Sequence, residues 1–148
     1  KPLKGAVNNQ EGSSVAVKMG SYGIGVSRLV GAIIEAKYNN NVMLWPKSIA
    51  PFAVAVIPNI KKNDKSNLSK AEKLYKFLKK ENIDVLLDDT EESLAYKFKK
   101  FDLLGIPHQI IIGSKSTSEV FEFKTLNGLT ENLKIQEIIK KLKQSITN

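Results

Sequence analysis

The sequence contains no cysteine, one histidine, one tryptophan and one arginine. Without cysteine there are no disulfides, no thiolate-held metals and no cysteine nucleophile, a composition that suits a reducing compartment. His108 is the only imidazole, too few ligands for a dedicated zinc centre. Its context, GIPHQI, reads as the entry to a strand, so it is assigned a structural role and no metal is expected. Long apolar runs are also missing. Glycine, proline or charge breaks each one well short of the roughly 20 residues that a membrane-spanning helix needs. The opening KPLKGAVNNQEGSS lacks the apolar stretch of a signal peptide and does not begin with methionine. A chain cut from something longer, cytoplasmic and away from the membrane, is expected.

What the chain has in quantity is lysine. Lys and Arg total 23 against 15 acidic residues, for a net charge of +8 over 148 residues. An excess of this size favours an anionic partner. The lysines cluster at Lys61/Lys62/Lys65, along residues 70–80, at Lys97/Lys99/Lys100 and at Lys140/Lys141/Lys143. Such clusters also arise as plain solvated helix faces, so charge alone leaves nucleic-acid binding open. At 42% hydrophobic, the chain can bury one good core beside a smaller appendage.

The single arginine, Arg28, closes the glycine-rich run MGSYGIGVSR (residues 19–28). Elsewhere the chain uses lysine, a flexible point charge. Arginine is a rigid planar fork that grips phosphate or carboxylate through two parallel hydrogen bonds. Chance placement or a structural ion pair is the bland alternative. The setting favours the fork. Apolar residues at 26, 29, 30, 33 and 34 mark one stripe of a helix, and residues 14–19 alternate as a strand. Gly20, Gly23 and Gly25 lie between them, allowing close backbone approach and unusual dihedrals. A glycine turn feeding a helix start presents free N–H groups and a positive dipole end to an anion. The dinucleotide fingerprint fails, because Arg28 stands where its third glycine belongs, and no Lys-Ser follows Gly25 to make a P-loop.

Asparagines 39–41 are expected to end this helix, and Pro46 and Pro51 to hold an extended linker around Trp45. A domain boundary is placed near Ala50, giving units 1–50 and 51–148. Beyond it, FAVAVI (52–57) reads as a strand covered on both faces. A helix capped by Ser66 or Asn67 follows, then a strand (84–87), a helix (93–104) stopped by Gly105, and a strand (109–112). A turn over 113–117, a strand (119–124), a loop at Asn127-Gly128 and a last helix complete the pattern. The order βαβαββα implies an α/β fold, a mixed sheet flanked by helices with its first three strands parallel. Ligands of open α/β sheets gather at the carboxyl ends of strands, where Asp88 and Asp89 fall. Carboxylates suit the Watson–Crick edge of guanine. Phe98 or Phe101 is placed to stack a base or to fill the core, and Lys97 to meet a phosphate or base oxygen.

The string MGSYGIGVSRLVGAIIE (19–35) followed by VMLWPKSIAPF (42–52) resembles the bacterial prolyl-tRNA synthetases of class II. LLDDTEESLAYKFKKFDLLGIPHQIIIG (86–113) is similar to their anticodon-binding domain. The resemblance covers nearly the whole chain. It implies that Arg28 grips ATP phosphate as a catalytic residue and that Gly23 and Gly25 shape the nucleotide site. It implies anticodon contacts by Asp88, Asp89, Thr90, Lys97 and Phe98 to the two guanines of tRNA(Pro). Thr90 stands where the family commonly has arginine, and Ser93-Leu94-Ala95 replaces a Pro-Gly. The parent enzyme would use ATP, Mg2+ and proline and form a homodimer. This segment, holding only the last catalytic motif, would be inactive alone and bind RNA. The alternative is a stand-alone accessory subunit binding RNA or protein without catalysis, against which the retained Arg28 argues.

Overall fold

The computed structural model describes residues 5–61, 64–113, 116, 119–126 and 128–147. Lys62, Ser114, Lys115, Thr117 and Asn127, on which parts of the expectations above fall, lie outside them. Contacts group the chain into two compact units, Lys1–Val30 and Gly31–Asn148.

In the first unit, strand β1 (Ala6–Asn8) pairs antiparallel with β2 (Ser14–Ala16), Val7 opposite Val15. The Asn9 side chain accepts from Glu11 N at 3.1 Å and Ser13 N at 2.9 Å, and Gly12 supplies the left-handed residue at φ 78°. The strand expected over 14–19 is therefore shorter, three residues long. Helix α1 (Val26–Lys37) begins at the expected residue and buries none of its side chains. Every described residue from 5 to 30 is exposed, so this unit has no core of its own.

In the second unit, α1 gives way at Lys37 to a hairpin, β3 (Tyr38–Asn39) and β4 (Val42–Met43). Asn40 and Asn41, at φ 48° and 63°, form its two-residue turn. Both central residues left-handed is the turn that matches strand twist. Asparagine's tolerance of that region is thus used as expected, but to reverse a hairpin and not to stop a helix. The packing divide also differs from the boundary expected near Ala50. Met43 is buried, and Trp45 Nε1 donates to the Leu104 carbonyl at 2.9 Å, so the segment before Ala50 packs as part of the second unit.

The main sheet holds β5 (Val54–Pro58), then, after helix α2 (Ser66–Lys80), β6 (Val85–Leu87). Helix α3 (Leu94–Leu104) leads to β7 (His108–Ile112), β8 (Val120–Thr125), β9 (Thr130–Lys134) and the last helix, α4 (Ile135–Thr147). Its order is β6-β5-β7-β8-β9, with β6, β5 and β7 parallel and the remaining pairs antiparallel. This is the expected mixed sheet with one more strand, β9. TENLK is polar and mostly exposed and carries no apolar alternation, so only its pairing with β8 makes it a strand.

Alternation along the strands divides two cores. Val54, Val56, Val85, Ile110, Ile112 and Phe123 face α2 and α4. Ala55 and Ile57 face the other way, against Phe101, Ile106, Phe52 and Phe98. Every residue of β5 is buried, as its unbroken apolar run requires. Neither Ser66 nor Asn67 caps α2. Lys65 is the N-cap, Asp64 accepts from Ser66 N at 2.9 Å, and Asn67 Nδ2 donates to the Asn59 carbonyl at 2.9 Å. Ser93 does cap α3, accepting from Tyr96 N at 3.3 Å, and Gly105 ends it in the left-handed conformation.

Candidate nucleic-acid interface

The carboxyl ends of β5 and β6 come together through their pairing, whose last partners are Val56 and Leu87. The residue that follows β6 is Asp88, whose N–H still donates to the Val56 carbonyl at 3.0 Å. Its side chain is only 1% exposed, and both carboxylate oxygens are engaged. Oδ1 accepts from Thr90 N at 3.0 Å and Thr90 Oγ1 at 2.5 Å, and Oδ2 accepts from Lys100 Nζ at 2.6 Å. Lys97 Nζ lies 3.6 Å from Oδ1 and donates to the Pro58 carbonyl at 3.0 Å. Burial works against the charge on Asp88, but the donors from Lys100 and Thr90 outweigh it and hold the carboxyl below its ordinary range. Burial pushes the Lys97 ammonium down, opposed by Asp88.

This geometry sorts the candidates. Asp89 and Thr90 are exposed. Asp88 is not available to read a base, since it is buried with both oxygens engaged, by Thr90 within the loop and by Lys100 and Lys97 of α3. The expectation that Lys97 meets a phosphate or base oxygen also gives way: its side chain has no exposure at all. Phe101 is core at 1% exposure, and Phe98 is half-buried in the same cluster with Lys124 Nζ 5.1 Å above its ring. A stacking role for Phe98 would have to displace that lysine. An aromatic that the sequence reasoning missed, Tyr96, is 56% exposed in the first turn of α3. Its signal was legible: position 96 falls off the apolar stripe 94, 98, 101.

Beside the loop lies a shallow cavity of about 210 Å³. Leu86, Leu87, Phe101 and Leu104 form its apolar walls, and Asp88, Asp89, Thr90 and Lys100 its polar end. An apolar slot closed by an acceptor and a cation suits a flat, polar-edged ring such as a nucleobase. A larger hollow of about 300 Å³ lies at the opposite ends of the strands, lined by Trp45, Asp84, His108 and Ser145 among others. There His108 stacks on Phe123 and its Nε2 lies 3.2 Å from Ser145 Oγ, consistent with strand entry. Among the described residues no three His, Asp or Glu gather to hold a metal ion. Among them also, no helix is long and apolar enough to cross a membrane.

In the first unit Arg28 is exposed, in the first turn of α1, its N–H donating to the Gly25 carbonyl at 3.0 Å. Neither Gly23 nor Gly25 is left-handed, so unusual dihedrals are not why glycine stands there. A Cβ at Gly23 would meet nothing within 4 Å, and one at Gly25 only Arg28 Cβ at 3.5 Å. Nothing in the described chain demands glycine at either position.

Compared with known proteins, residues 53–145 match the family model described as the anticodon binding domain. The chain is 51% identical over 140 residues to a proline–tRNA ligase of Pelagibacter ubique, covering 93% of this chain and 32% of the relative. It is 45% identical over 142 residues to that of Wolbachia pipientis wMel, again covering 32% of the relative. The chain thus spans about a third of the length of these curated relatives. Its fold superposes on the crystal structure of prolyl-tRNA synthetase from Cryptosporidium parvum, complexed with L-proline and AMP, with a TM-score of 0.71. That match has 19% identity and covers 82% of this chain and 26% of the other. With the family model spanning well over half of its residues, and the sheet and carboxyl-end loop built as described, the chain belongs to the anticodon binding domain family.

Proposed function

We propose that this chain is the C-terminal portion of a prolyl-tRNA synthetase and that it binds the anticodon of tRNA(Pro). The observation that carries the reading is the loop at the end of β6. There the exposed Asp89 and Thr90 border an apolar slot on a domain of the anticodon binding family. The Asp89 carboxylate accepts from N1–H and N2–H₂ of guanine, a pairing adenine cannot offer. The Thr90 hydroxyl donates to Asp88, so it offers a base its oxygen as an acceptor, and Tyr96 adds an exposed ring. Residues 1–50 are the end of the catalytic domain in this reading. Arg28 there grips ATP phosphate as a catalytic residue, and Gly23 and Gly25 let the nucleotide approach the backbone. An exposed arginine at a helix start and glycines crowded by nothing support that assignment. The L-proline and AMP held by the solved prolyl-tRNA synthetase support an amino acid and a nucleotide as ligands of the complete enzyme.

The complete enzyme activates proline with ATP and transfers it to tRNA(Pro), as a cytoplasmic homodimer. Mg2+ supplies charge neutralisation to the phosphates when bound; the described residues gather no ligand set for it. This chain alone contributes RNA binding and no proline activation. Titration of an anticodon stem-loop, and of one with its two guanines changed to adenine, tests the reading. Asp89→Ala should weaken the guanine loop by about 1–3 kcal/mol and the adenine loop far less. An unchanged guanine preference refutes Asp89 as the reader.

A further inference from the structure

Backbone pairing across the sheet is uneven at the carboxyl end of β5. On the β7 side it continues to Pro58, opposite Ile112. On the β6 side the last paired residues are Val56 and Leu87, and the final link is Asp88 N to the Val56 carbonyl. Beyond that point the two chain ends are bridged by a side chain from a third element. Lys97 of α3 reaches between them, its ammonium on the Pro58 carbonyl at 3.0 Å and 3.6 Å from Asp88 Oδ1. It is among the largest fully buried side chains of the described residues.

A buried cation is a poor device for stability. Well-packed apolar residues of similar volume serve a core as well or better, because each buried charge carries a desolvation cost. Lys100 already supplies a cation to Asp88, at 2.6 Å. The second cation adds a fixed distance between the β5 end and the loop that follows β6. That loop hangs from the same carboxylate, since Asp88 Oδ1 also holds both the N–H and the hydroxyl of Thr90. Asp89 lies between these two anchors, exposed.

We infer that Lys97 is a positioning residue for base recognition: from inside the domain it fixes Asp88, and through Asp88 the direction in which Asp89 and Thr90 face the RNA. This rests on the anticodon reading above, deepens it, and assigns specificity to a residue that never touches RNA. Preorganisation of this kind acts on discrimination more than on overall affinity, because phosphate contacts elsewhere carry no sequence information.

The test uses the whole chain with two variants, Lys97→Met and, as a control for stability, Leu142→Ala on the opposite face of the sheet. Leu142 is fully buried against α2 and the strands, distant from the loop. Amide exchange in the free protein comes first. Lys97→Met should speed exchange of the Thr90 N–H on the order of tenfold while leaving Val56 protected; Leu142→Ala should not single out Thr90. Binding follows. Lys97→Met should cut the ratio of guanine-loop to adenine-loop affinity on the order of tenfold, within the range of one side-chain–base pair, whereas Leu142→Ala should preserve it. An unchanged Thr90 exchange rate in Lys97→Met overturns the inference, whatever the RNA result. Equal losses of discrimination in both variants also overturn it, by making Lys97 merely structural. A wild-type chain without guanine preference sinks the anticodon reading instead, and the exchange data still decide whether Lys97 holds the loop.

Discussion

Gly105 is the position where a single added methyl should cost most. It ends α3 at φ 71°, a conformation that penalises a Cβ by roughly 1–2 kcal/mol. A Cβ there would also lie 2.3 Å from the Met43 carbonyl oxygen and 2.7 Å from Trp45 Cδ1. The first of these is backbone, which cannot rotate aside, so α3 and β4 must separate. Overpacking of this sort costs about 1–3 kcal/mol, and parting Trp45 Nε1 from the Leu104 carbonyl forfeits about 1 kcal/mol more. Gly105→Ala should therefore destabilise by about 3–6 kcal/mol. At about 2.1 cal/mol/K per residue, unfolding residues 31–148 carries an entropy of about 0.25 kcal/mol/K, so the melting temperature should fall by about 12–24 °C. Gly113→Ala is the control, because a Cβ there meets nothing within 4 Å. Thermal melts followed by circular dichroism, with limited proteolysis around residues 39–47, read both ways the strain can be relieved. Global destabilisation lowers the melt; release of the hairpin exposes Asn40 and Asn41 to cleavage. A Gly105→Ala chain melting within about 1 °C of wild type, with its hairpin as protected as β5, would refute the reasoning.

Asp88 should shape the acid limb of stability. Its folded carboxyl titrates below the ordinary value, so its contribution is complete above the unfolded value of about 3.9 and is lost as pH falls through the folded one. Urea melts from pH 5 to 2 should show stability dropping less steeply in Asp88→Asn than in wild type, and equal slopes would refute the assignment. On the function proposed above, Arg28→Lys in the complete enzyme should retain the fold and slow proline-dependent pyrophosphate exchange on the order of 10²–10³-fold, as the loss of one aligned transition-state donor does. Exchange at the wild-type rate would show that the fork is not needed there.

Much of the fold was legible because its signals are local. The unbroken apolar run of β5, the helical stripes, Ser93 before α3 and Gly105 after it each act within a few residues, and each stands where the sequence puts it. What failed had no local signal. β9 is a strand because β8 offers it an edge, while TENLK carries neither alternation nor β-branched bulk beyond its first residue. Asn40 and Asn41 advertise a left-handed pair without saying whether a helix or a hairpin needs it.

The same division runs through the site. The sequence by itself determined that acidic residues fall at the carboxyl end of a parallel strand, that one arginine follows a glycine turn, and that residues 86–113 resemble an anticodon-binding domain. The tertiary structure decided which acid is available. Asp88 and Asp89 are adjacent and chemically identical in the sequence. The approach of Lys97 and Lys100 from α3, 9 and 12 positions further along, joins the two bonds from Thr90 to close one carboxylate inside the domain, and the other is left in solvent. Burial is a property of what packs around a residue, and helix α3, which carries both lysines, is brought against Asp88 by the sheet, not by the sequence next to it.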